Sequence, residues 1–92
     1  MDKMEKLNIM NKILRELEDV NNSSTALIKK IAQIEAENIN LGNKLLEEKL
    51  PDVFEHTDGV VTETAALLTE FTTLRDTFVT ENKLDEVTEL PT

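Results

Sequence analysis

Residues 10–51 read MNKILRELEDVNNSSTALIKKIAQIEAENINLGNKLLEEKLP, and the fold turns on how this stretch is parsed. Positions 10, 13, 17, 20, 24, 27, 31, 34, 38, 41 and 45 are Met, Ile, Leu, Val, Ser, Leu, Ile, Ile, Asn, Leu and Leu. Nine of the eleven are apolar at alternating spacings of three and four, the a/d seam of a coiled coil. Ile9, Leu14 and Ile28 widen that seam, as helices of a bundle do. Asn21-Asn22-Ser23-Ser24-Thr25 is a run of weak helix formers. The heptad phase nevertheless passes through it from Val20 to Ser24 to Leu27, so one helix over about residues 4–49 is expected, with a soft spot at 21–25.

Pro51 is expected to end that helix, because proline restrains the preceding residue and lacks the N–H of an i to i−4 bond. Asp52 with Glu55 three residues on resembles a capping box, and Thr57-Asp58-Gly59 is a second possible start. Beyond it, Val53, Phe54, Val60, Val61, Leu67, Leu68, Phe71, Leu74 and Phe78 recur at helical spacing. Ten of the eleven threonines lie here and favour strand, but the adjacent pairs Val60-Val61 and Leu67-Leu68 break strict alternation. A second helix over about 53–82 follows, then an acidic tail over 83–92.

The expected fold is therefore all-α: a single domain spanning 1–92, built as a long antiparallel helical hairpin with its turn at 50–52. Its seam would hold Val20, Leu27, Ile31, Ile34, Leu41 and Leu45 against Val60, Leu67, Phe71, Leu74 and Phe78, with Asn38 as a polar seam residue fixing register. Folding about Pro51 leaves residues 4–19 overhanging. Leu7, Met10, Ile13, Leu14 and Leu17 on that overhang then form a partner interface, since so much apolar surface requires cover. The alternative is a compact three-helix bundle broken near 21–25, which would bury the same residues internally.

Composition narrows the chemistry. Among 92 residues there is no Cys, Trp or Tyr, and two Gly and two Pro are too few for a sandwich or barrel. The net charge of −9 is lopsided: residues 1–50 carry −1 and residues 51–92 carry −8. Such a chain repels nucleic acid and anionic membranes. The opening Met-Asp-Lys-Met-Glu-Lys has no apolar h-region and no apolar run approaches a membrane span, so a cytoplasmic location without membrane contact is expected. Without a secretory signal, the acceptor patterns at Asn21 and Asn22 read as unmodified asparagines.

His56, the only histidine, lies among Asp52, Glu55 and Asp58. Asp52 and His56 could share a helical face, but two ligands rarely hold a metal, and a phosphotransfer histidine would sit mid-helix in a four-helix bundle. It reads as a solvated side chain. No phosphate loop or nucleophile elbow is present. No catalytic residue, cofactor or metal is expected. The functional expectation is a non-catalytic protein–protein interaction or structural module, either self-associating as a dimer or tetramer or joined to another helical chain. The alternative is a small acidic inhibitor whose run Glu63, Glu70, Asp76, Glu81, Asp85, Glu86 and Glu89 mimics nucleic-acid phosphates for a basic protein.

Overall fold

Two helices of nearly equal length form an antiparallel hairpin 64 × 22 × 18 Å in extent, in a computed structural model that describes residues 1–84. Helix α1 spans Lys3–Leu41 and helix α2 spans Lys44–Glu81. No strand occurs among the described residues. The expected tail at 83–92, beyond Leu84, lies outside them.

The corner is at Gly42-Asn43 and not at 50–52. Gly42 takes φ +69°, the left-handed conformation that stops a helix and that glycine adopts without a Cβ penalty. Its N–H donates to the Asn38 carbonyl at 2.6 Å. Asn43 then caps α2, its side-chain oxygen accepting the Leu46 N–H at 3.1 Å. Pro51 sits eight residues into α2, which runs on through it. The cost is one intrahelical bond, because the Glu47 carbonyl has no N–H to accept at position 51. Asp52, Glu55 and Thr57-Asp58-Gly59 are accordingly helix interior, and the capping box expected there does not form. A capping box does form at the start of α1. Asp2 accepts the Glu5 N–H at 2.8 Å, and this bond, with the Glu5 side chain behind it, holds the Asp2 carboxyl below its ordinary range.

The stretch 21–25 is continuous helix, so the three-helix alternative is excluded. Thr25 Oγ1 donates back to the Asn21 carbonyl at 2.9 Å, and the Asn21 side chain is held by the opposite helix. The threonines of α2 are reconciled with helix in the same way. Thr57, Thr64, Thr69, Thr72 and Thr73 each donate to the carbonyl four residues earlier, which satisfies the hydroxyl without leaving the helix.

Gly59 lies inside α2, and a Cβ built on it meets nothing within 4 Å. Gly59→Ala is therefore expected to stabilise the hairpin by about 0.5–1 kcal/mol through the unfolded state alone, raising the thermal midpoint by a few degrees. Calorimetry of the two proteins checks it.

Candidate interaction surface

The register follows from polar contacts between the helices. Asn21 Nδ2 donates to Thr64 Oγ1 at 2.9 Å and to the Val61 carbonyl at 3.1 Å, and Arg75 Nη1 donates to Asn11 Oδ1 at 2.6 Å. Residue i thus lies opposite residue 85 − i. The inward-facing residues of α1 are Leu7, Met10, Leu14, Leu17, Asn21, Ser24, Ile28, Ile31, Glu35 and Asn38, a heptad stripe flanked by half-buried Asn11 and Thr25. Its counterpart on α2 is Leu50, Phe54, Thr57, Val61, Thr64, Leu68, Phe71, Arg75, Phe78 and Asn82. The layers so formed put Leu7 on Phe78, Leu14 on Phe71 and Ile31 on Phe54 at apolar levels, with Asn21 on Thr64 between them.

Most of the expected seam is displaced. Ile31 and Asn38 face the opposite helix as expected, and so does Ser24 on the same phase, whereas Met10 and Leu17, expected on the overhang, are turned into the hairpin as well. Ile13, Val20, Leu27, Ile34 and Leu41, together with Leu45, do not: all are exposed, and the inward positions beside the first four are 14, 21, 28 and 35. On α2, Phe71 and Phe78 face inward, whereas Val60, Leu67 and Leu74 are exposed, as is Val53. The reason is the flank on which each helix widens its stripe. The helices pack on a stripe that carries Asn21, Ser24, Glu35, Thr57, Thr64 and Arg75, and leave the more apolar flank outside.

The overhang disappears with the Pro51 turn. Leu7 and Leu14 are buried within the hairpin, Met10 and Leu17 are half-buried there, and Ile13 alone of the five expected interface residues is exposed. Apolar surface is instead left along the whole length of one side. In heptad terms, with Leu7 and Phe54 at a positions, the exposed residues Ile13, Val20, Leu27 and Ile34 of α1 and Val53, Val60, Leu67 and Leu74 of α2 all occupy g. An antiparallel pair has a two-fold perpendicular to the plane of its helices, which keeps equivalent flanks on the same side. The two stripes are therefore neighbours, stacked as Ile34 with Val53, Leu27 with Val60, Val20 with Leu67, and Ile13 with Leu74. The opposite side is mixed, with Asn11, Glu18, Thr25, Asp58 and Thr72 on it.

Asn38 is 5% exposed and spans the corner: its Nδ2 donates to the Asn43 carbonyl at 3.1 Å and its Oδ1 accepts the Asn43 N–H at 3.0 Å. Asn21, Arg75 and Asn43 are contacts the sequence reading missed. Asn21 was visible as a polar residue one step off the seam, and Asn43 as a cap residue following glycine.

His56 is exposed, and among the described residues no three His, Asp or Glu converge as a metal set. No helix among the described residues is long and apolar enough to cross a membrane. Of the described members of the acidic run, Glu63, Glu70 and Glu81 lie on or beside the apolar side, whereas Asp76 falls on the other flank and pairs with Arg75 at 2.8 Å. Asp85, Glu86 and Glu89 lie outside the described residues. Comparison with protein-family models, curated proteins and solved structures finds no match to this chain.

Proposed function

We propose that the chain is a non-catalytic interaction module of the cell interior that works by burying its apolar side in a larger helical bundle. One observation carries this reading: eight successive g positions, four on each helix, are aliphatic and lie together on one side. Bundle helices carry apolar residues at a, d and either e or g, a wider stripe than a two-stranded rope requires. Here the third position is aliphatic from residue 13 to 34 and from 53 to 74, while eight of the twenty a/d residues are polar, so the better packing surface is the one left open. Monomeric proteins rarely leave so long an apolar strip in water.

A photo-crosslinking amino acid placed at Leu27, in the cells that make the protein, tests this. Leu27 lies on the apolar side, and Asp19 lies on the outer face of the same helix. The expected result is a protein adduct from position 27 and none from position 19. Equal labelling from both, or none from either, would overturn the proposal.

A further inference from the structure

From the layout of that side we infer that its occupant is a second copy of this chain, packed face to face with its turn at the opposite end, so that two hairpins make an antiparallel four-helix bundle. The inference rests on reading the apolar side as an interface, and three features of the sequence in this fold support it.

The first is area. From Ile13 to Ile34 the strip runs about 32 Å at 1.5 Å per residue, and two helices abreast are about 20 Å wide. The product, about 630 Å² per copy and about 1,260 Å² in all, falls at the lower end of the range of stable interfaces. The second is self-complementarity. The four stacked levels are centred between residues 23 and 24 on α1 and between 63 and 64 on α2, and these two points are within about 3 Å of the same height in the hairpin. A two-fold axis lying in the interface there, across the helices, sets Ile13 of one copy on Ile34 of the other and Val20 on Leu27. On α2 it sets Val53 on Leu74 and Val60 on Leu67. Every level meets an aliphatic level.

The third is charge. The exposed ionisable c positions bordering the strip are Glu16, Lys30 and Glu37 on α1 and Lys49, His56, Glu63 and Glu70 on α2, and the antiparallel axis sets Glu37 on Ile9 and Lys49 on Thr77, which are uncharged. Glu16 and Lys30 are centred on residue 23, and His56 and Glu70 on residue 63. The same axis therefore sets each Lys30 beside the other copy's Glu16 and each His56 beside the other copy's Glu70. Glu63 meets its own copy near the axis, one unfavourable contact against the two ion pairs of Glu16 with Lys30. The parallel arrangement, with both turns at one end, sets Glu16 beside the other copy's Glu70 on both edges, which cancels the gain from Glu37 beside the other copy's Lys49. Charge thus selects the antiparallel form over the parallel one.

The test uses the purified full chain. Its mass is followed by sedimentation with refractive detection, since Trp and Tyr are absent. A dimer is expected. Leu27→Glu with Leu67→Glu should weaken it about 100-fold or more by burying unpaired charge, with helicity retained because both side chains are exposed in the single hairpin. Glu16→Lys should weaken it roughly 3- to 10-fold relative to Asp19→Lys, which makes the same charge change on the outer face, and adding Lys30→Glu should restore it. A helical monomer at hundreds of micromolar would overturn the second-copy inference and leave the crosslinking result standing. So would an oligomer indifferent to Leu27→Glu with Leu67→Glu. A dimer tightened by Glu16→Lys relative to Asp19→Lys would overturn the antiparallel arrangement.

Discussion

Asn38→Ala is expected to cost about 2–3 kcal/mol, and Asn40→Ala, two residues along and exposed, close to nothing. The Asn38 side chain makes both hydrogen bonds that tie the end of α1 to the cap of α2, at 3.0 and 3.1 Å, each worth about 1 kcal/mol net. Its backbone carbonyl also receives the Gly42 N–H. Alanine keeps the helix but frees the corner, leaving small apolar surface where a buried amide bridged two strands of backbone. Against a total stability of the usual 5–15 kcal/mol, the loss is a substantial fraction for a two-helix protein. Urea titration of the two variants beside the parent measures it. Equal small losses for Asn38→Ala and Asn40→Ala would mean that the corner does not depend on this amide.

A still larger difference is expected between two isoleucines three residues apart. Ile31 is 6% exposed and faces Phe54, so Ile31→Ala should cost about 2–4 kcal/mol from lost burial and the cavity left behind. Ile34 is 37% exposed on the apolar side, and Ile34→Ala should cost under about 1 kcal/mol in a lone hairpin. The order is to be measured by denaturation at low protein concentration. Raising the concentration should then stabilise the parent more than Ile34→Ala, because association adds stability by mass action and Ile34 lies on the surface that associates. Similar costs for the two at low concentration would mean that the seam has been assigned to the wrong flank.

Much of the hairpin could be read from the sequence. The phase running through Met10, Leu17, Ser24, Ile31 and Asn38 is the phase the structure uses, and the adjacent valine and leucine pairs correctly rejected strand. Two features could not be read from hydropathy. The first is which flank completes the seam: Ile13, Val20, Leu27 and Ile34 are a better apolar row than Leu14, Asn21, Ile28 and Glu35, so a search for the most apolar pairing selects the row that faces outward. The intrahelical and interhelical bonds of Asn21 and Arg75, which make the less apolar row workable, are invisible in a hydropathy pattern. The second is the corner. Proline is a strong helix breaker in general, but the bond lost at Pro51 is a single one, whereas Gly42 and Asn43 supply a left-handed stop and a cap in consecutive residues. Moving the corner by those few residues changes the register by seventeen positions, and with it the overhang and the set of residues left open to a partner.

The register itself is thus the point to measure. The chain has no cysteine, so Asn22→Cys with Thr62→Cys places spin labels at two exposed positions on the side away from the apolar strip. Diluted with unlabelled chain, the pair should show a single short distance, the interaxial separation of about 10 Å plus the label arms. A hairpin folded at Pro51 would set residue 22 opposite residue 80 and shift the two labels apart by about 27 Å along the axis. A distribution centred at that longer separation would contradict the register, and with it the alignment of the two apolar stripes on one side.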